Sequence, residues 1–354
     1  MKHRTYLALA VCILLILSAC AGPAAPEEQR PAHFAVGVIR TNGSVNRSSI
    51  LYFDEDLGQT GITHYPYATM GQSFYSPVVF DGTLYLAPQG QANKKDARVI
   101  LRQDLDTLEL QTYPLDQIAI YGLSADASAI YAANNINGQS FISRIDRADQ
   151  TVKTAVYDGR YVSLVYRYRD TLYAFSSQST ASGIAGTLHR LDPATLEELG
   201  RVDISPLGHD VYSAAGVGDT LYFVPAEAPQ GTFSRVVGAC HLSTGELSAV
   251  AFPQEVFHIL HAGDVLYVTH GNLVTGEGTS LSVYEPDTGG IRTCDLGLWP
   301  QQIAVRGGSL YVMGADRVAR FDARSLEKLG EAAIPLEEGD YLAGLFSREP
   351  APRA

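Results

Sequence analysis

Apolar and polar positions alternate in short runs along most of the chain, and after the first twenty residues no stretch keeps a helical period. Runs of this kind, bounded by Gly, Asp, Asn and Pro, predict short β-strands. One run recurs. An aliphatic residue and a tyrosine follow a tight turn at Leu84-Tyr85, Ile130-Tyr131, Leu172-Tyr173, Leu221-Tyr222, Leu266-Tyr267 and Leu310-Tyr311. The tyrosines are 46, 42, 49, 45 and 44 residues apart. A second strand ends in an acidic corner, as in Ser143-Arg144-Ile145-Asp146, His189-Arg190-Leu191-Asp192, Ser282-Val283-Tyr284-Glu285 and Arg320-Phe321-Asp322.

Each period holds four strands, termed A to D from the axis outward. Strand A precedes the tight turn, B carries the Leu-Tyr pair, C ends in the acidic corner and D follows it, as at Leu329 to Leu336. A period near 45 with four strands predicts a β-propeller blade, and its regularity argues against a β-sandwich. The ends give the blade count. The body opens with B (Phe34 to Ile39), C (Ile50 to Asp54) and D (Ile62 to Tyr67), without an A strand. It closes with an orphan A strand, Tyr341 to Phe346. The last strand completing the first blade makes an all-β, seven-bladed ring of four-stranded antiparallel blades. Closure also removes the open edges of a linear array. The pattern resembles seven-bladed propellers of the quinoprotein-like and YVTN-repeat type over residues 33–347. The Gly-His and Trp-Asp dipeptides of WD40 repeats are missing.

Ahead of the ring, Lys2, His3 and Arg4 precede an apolar stretch from Tyr6 to Leu17, then Leu17-Ser18-Ala19-Cys20. This reads as a secretory signal, too short for a confident membrane span. The last four residues resemble the bacterial lipobox. In that family the Cys receives a diacylglycerol and cleavage occurs before it, so lipidation is expected at Cys20, with palmitate-type chains as the anchor. The division expected is a signal peptide at 1–19, the lipidated Cys and a Pro-rich tether at 20–32, the propeller at 33–347 and a disordered tail at 348–354. At about 3.3 Å per residue the tether reaches roughly 40 Å.

Charge bears on partners. The 354 residues carry 26 Lys+Arg and 38 Asp+Glu, a net charge of −12. Loss of Lys2 and Arg4 with the signal leaves 24 cations against 38 acids, a net charge of −14. An acidic body is repelled by an anionic bilayer, which leaves anchoring to the lipid. No basic run suggests a nucleic-acid partner. The location expected is a bacterial membrane: the outer leaflet in a Gram-positive source, and the outer membrane in a Gram-negative one, since Ala21 replaces the Asp of inner-membrane retention signals.

B–C connections are expected to be long loops at Pro88–Ala97, Asn134–Ser140, Ser176–Gly186, Pro225–Ser234 and His270–Thr279. They emerge on the face where the A strands begin, and long loops on a rigid scaffold carry function. Nine residues before the B-strand aliphatic stand Tyr75, Tyr121, Tyr212, Phe257 and Gln301; Tyr161 is two out of register, and Tyr341 starts the closing strand. Such a ring of aromatics fits either a stacking rim at the channel mouth or wedges between blades. His209, Asp210, His258, Trp299 and Gln302 stand close by in sequence and are candidates to orient a ligand.

Reaction chemistry is sparse. CxxC, HExxH, EF-hand and Gly-x-Ser-x-Gly patterns are missing. Asp287-Thr288-Gly289 falls at a C–D corner and reads as a turn. Cys240 and Cys294 lie on strands of adjacent blades and are expected as two buried thiols. His258 and His261, three apart, should face opposite sides of a strand, which argues against a shared metal. Lactonase-like propellers hold calcium in the channel, a role open here to Asp210, Asn134 and Asn135, although no cofactor is expected. Quinoprotein dehydrogenases carry tryptophan-rich repeats, against one Trp here. The function expected is a non-enzymatic, lipid-anchored envelope or cell-surface propeller that binds a protein, peptide or glycan, or acts as a scaffold. Outer-membrane assembly lipoproteins with propeller folds are an analogy at the level of fold. The alternative is an envelope hydrolase, lyase or dehydrogenase with its site at the channel mouth.

Overall fold

A computed structural model describes residues 30–348, apart from positions 32, 90, 93–94, 97 and 273–274. The signal, Cys20 and nearly all of the tether and tail therefore lie outside the described residues. Seven four-stranded antiparallel sheets form a ring. In the first, Asp340–Ser347 is the innermost strand and pairs with Val36–Asn42, followed outward by Arg47–Phe53 and Gln59–Tyr65. The other six start at Val78, Ile120, Tyr161, His209, Val256 and Gln302 and end at Pro114, Asp158, Asp203, Ala251, Asp295 and Ala333. The C-terminal strand therefore closes the first blade.

The Leu-Tyr pair has a direct physical reason. Successive side chains on a strand point to opposite faces, and each blade is packed on both. Leu84 packs toward the first blade and Tyr85 toward the third; Leu221 packs toward the fourth and Tyr222 toward the sixth. The same division holds for Ile130 and Tyr131, Leu172 and Tyr173, Leu266 and Tyr267, and Leu310 and Tyr311. The hydrophobic interior is thus seven clusters, one at each blade-to-blade interface.

The acidic corners are C–D turns. Asp104 accepts hydrogen bonds from Asp106 N and Thr107 N, Asp192 from Ala194 N and Thr195 N, and Asp322 from Arg324 N and Ser325 N, at 2.7–3.0 Å. These N–H bonds favour the charged form and hold the three carboxyls below their usual range. Four residues past each stands a leucine, Leu108, Leu196 or Leu326, at φ 58–61° and buried between blades. Asp287-Thr288-Gly289 is indeed part of such a corner, with Thr288 Oγ1 donating to Glu285.

Two expectations need correction. Asn134–Ser140 and Ser176–Gly186 are hairpin extensions rather than loops. Strands Ala129–Ile136 and Gln139–Asp146 pair up to Ile136↔Gln139, and Thr171–Thr180 pairs with Gly183–Leu191 up to Thr180↔Gly183. Asn137 and Gly138 both take positive φ, 52° and 79°, the geometry a two-residue hairpin turn requires. Second, Cys240 is buried but Cys294 only half-buried, because Cys294 is on an outermost strand with a solvent side; both thiols are free.

Candidate functional site

The innermost strands begin on the face that carries the B–C connections, and there most of them are irregular. The A–B register slips between Ile120 and Leu123, Val162 and Leu164, Val211 and Ser213, and Val256 and Ile259. A bulge adds an unpaired residue and re-aims its side chain. The residues at these slips include Tyr121, Ser163, Tyr212, Phe257 and His258. In the fourth blade the register position nine before Leu172 holds Ser163, the bulged residue, and Tyr161 stands before it in ladder pairing with Ser177.

Across this mouth runs a cap. Twelve residues, 66–77, join the first blade to the second, where the other blade-to-blade connections have two to six. Within this connection, Tyr75 reaches over the axis and donates from Oη to Ser163 O, 2.8 Å away on the fourth blade. His258 Nε2 of the sixth blade donates to Ser73 O at 2.8 Å. Gln302 Nε2 of the seventh reaches Gln72 O and Tyr75 O at 3.2 and 3.1 Å, and its Oε1 accepts from Leu345 N at 2.8 Å. Gln72 bonds Gln89 of the second blade, whose Nε2 donates to Ile120 O of the third at 2.6 Å. Burial pushes the His258 imidazole down to about 4, against the bond to Ser73 O, so it is neutral near pH 7.

Ring contacts are continuous over the cap. Tyr75 lies 6.5 Å from Tyr121 and meets Tyr212 edge-on at 5.6 Å. Phe74 is 37% exposed at the surface and touches Tyr212 at 5.6 Å and Phe257 at 6.3 Å. Phe257 stacks on Trp299 at 6.2 Å. Burial, then the neighbouring phenols, push the Tyr75 and Tyr212 hydroxyls up, and burial does the same to Tyr161 beside them. These residues therefore meet at the axis, while the tyrosines of the B strands are the wedges.

The other sequence candidates divide. Tyr341 is 45% exposed and stands outside the ring contacts described. Gln301 is buried, and it is the next residue, Gln302, whose side chain binds the cap. His209 lies between two carboxylates, 3.0 Å from Asp210 and 3.8 Å from Glu227, and Ser177 Oγ donates to Asp210 at 2.6 Å. Asn134 donates to Ile118 O, and Asn135 ties Val162 N and O across the third and fourth blades. Their amides are thus committed to the scaffold. Among the described residues no three His, Cys, Asp or Glu side chains are placed to hold a metal ion.

Sequence reasoning missed Phe74, Gln72, Ser73 and Ser163. The one available signal was the length of the 66–77 connection with its adjacent Phe74-Tyr75. It also missed a relay in the fourth blade: Ser176 Oγ to His189 Nε2 at 2.9 Å, and His189 Nδ1 to Glu198 at 2.7 Å. The distances suit a nucleophile, but Ser176 is 3% exposed and His189 fully buried. The sixth blade repeats the device with His270, Ser282 and Thr293. Both relays brace strands B, C and D.

No family model matches the chain, and no curated protein does. Solved structures match in fold. A functionally unknown protein from Desulfotomaculum acetoxidans aligns with TM-score 0.65 and 11% identity, over 90% of this chain and all of that one. Apo AztD from Citrobacter koseri aligns with TM-score 0.53 and 11% identity, over 89% and 98% of the two chains. BamB from Moraxella catarrhalis aligns with TM-score 0.50 and 13% identity, over 88% and 95%. At such identities the likeness is one of fold alone.

Proposed function

We propose that the protein is a binding or scaffold module that presents its capped loop face to a peptide, protein or glycan outside the cytoplasmic membrane, held there by lipid on Cys20. The observation that carries this reading is the continuous aromatic surface over the axis, with Phe74 exposed at its top. Aromatic rings offer large contact area at small entropic cost. Beside Tyr161 a notch of about 390 Å³ is lined by the polar side chains of Asn137, Gln139, Arg160 and Ser179. A surface of this make-up selects a ligand with one apolar face and several polar edges.

The test is a screen of envelope glycans and peptides against the mature chain, followed by titration of any hit. Phe74→Ser and Tyr161→Ala should each weaken binding about fivefold or more, the equivalent of ~1 kcal/mol. A hit whose affinity neither substitution changes would place binding elsewhere. The anchor is tested separately: Cys20→Ser should remove palmitate label and detergent-phase partitioning, and label retained by that variant would refute lipidation at Cys20.

A further inference from the structure

Under the cap lies a cavity of about 240 Å³ that follows the axis from Tyr75 to the level of the A–B turns. Its waist is formed by Val78, Leu123, Tyr166, Ala214, Leu260 and Val305, one residue from each of the second to seventh blades. All six are half-buried: each packs against the cluster between two blades and also lines the axial space. The chain has 64 Asp, Glu, Lys and Arg residues, yet none lines this space. The innermost strands are sheet edges, and on their axis side several N–H groups are met by side chains of a neighbouring blade: Ile259 N by Ser213 Oγ, Gly216 N by Tyr166 Oη, Arg167 N by Ser124 Oγ and Leu345 N by Gln302 Oε1.

We propose that this cavity is a binding site for a small, neutral, ring-containing molecule that enters from the A–B turn face. Three observations select that class. The cap is hydrogen-bonded directly to Ser163, His258 and Gln302 of the fourth, sixth and seventh blades and to Gln89 of the second, so the loop-face end is shut. An uncharged wall gives an ion nothing in exchange for its hydration. An apolar cavity of about 150 Å³ holds benzene, so one of 240 Å³ takes a ring system about the size of indole or naphthalene. At the open end the half-buried His261 supplies a polar group that a ring substituent would meet. The site lies on the far side of the cap from the loop face and does not depend on the binding role proposed for that face.

The probe is 1-naphthylamine at pH 8, neutral and sensitive to its surroundings in fluorescence, titrated into the mature chain, with naphthalene-2-sulfonate as the charged counterpart. The expected result is one saturable site with blue-shifted emission and at least tenfold weaker binding of the sulfonate. Contacts by NMR should appear at the methyls of Leu123, Leu260 and Val305. Ala214→Phe, which fills the waist, should lower affinity at least tenfold, and Phe74→Ala on the cap should leave it unchanged. If Ala214→Phe does not fold, Val305→Phe fills the waist from another blade, and the NMR contacts in the unaltered chain stand by themselves. The proposal is overturned by no saturable binding, by equal binding of the sulfonate, by contacts away from those methyls, or by loss of binding on Phe74→Ala.

Discussion

Two sets of tyrosines recur with the blade period and end in different places. Tyr85, Tyr131, Tyr173, Tyr222, Tyr267 and Tyr311 are buried between blades, while Tyr75, Tyr121, Tyr161 and Tyr212 gather over the axis. Both sets look alike as spacing in sequence. The difference is local backbone: the first set sits in regular ladder pairing, such as Tyr131↔Arg144, and Tyr121 and Tyr212 fall where the A–B register slips. Tyr161 pairs with Ser177 just ahead of the fourth-blade slip, and Tyr75 lies in the connection before the second blade, so periodicity makes the positions equivalent while local backbone decides which way each faces.

The largest effect should come from removing the closing strand. Truncation before Asp340 strips the first blade of its inner ladder and bares apolar faces shared with the second and seventh blades, Phe346 and Leu345 among them. Aggregation, or a melting temperature lower by many degrees, is the expected outcome. A soluble truncation that melts like the full chain would show that the ring closes in another way.

Next, Tyr131→Ala and Tyr121→Ala compare the two sets within one blade. Tyr131 is fully buried and its hydroxyl donates to Asp126, so its loss should cost roughly 3–5 kcal/mol. Tyr121, half-buried at the cap, should cost about 1 kcal/mol. Denaturant unfolding of both variants reads the contrast, and equal losses would return Tyr121 to the core.

A third effect concerns pH. The His258 value is depressed in the folded state to about 4 from 6.5, so the unfolded chain takes up the proton first. Its contribution is intact above pH 6.5 and is lost as pH falls toward 4, worth about 3 kcal/mol in full. Burial also lowers His189 and His270, which add to the same slope. His258→Gln keeps a donor for Ser73 O without titrating, so its unfolding free energy should fall less steeply between pH 6.5 and 4 than that of the unaltered chain. Parallel curves would mean that His258 is not the group responsible.

The smallest effect is expected at Tyr75→Phe, which keeps the ring and removes the bond to Ser163 O. A loss of about 1 kcal/mol is the ordinary cost, more if the carbonyl stays dry. No measurable loss would show the cap to be held by ring packing and the bonds of His258 and Gln302 alone.

The sequence by itself determined the blade, because a strand packed on both faces needs an apolar residue for each neighbour, and Leu-Tyr repeats that demand every 42–49 residues. It determined ring closure, because a chain that starts on a B strand and ends on an A strand has one way to complete a blade. It also named Tyr75 of the cap, with Tyr121, Tyr212 and Phe257, as equivalent positions. It left open whether those rings were wedges or rim, and it read the hairpins at Asn137-Gly138 and Ala181-Ser182 as loops. Only the tertiary structure decided that Tyr75 crosses the axis to Ser163, that His258 and Gln302 hold residues 72–75, and that an uncharged cavity lies beneath. Those contacts join residues 88 to 230 positions apart. Ser163 and His258 fall at register slips of a single residue, which no hydrophobic pattern records.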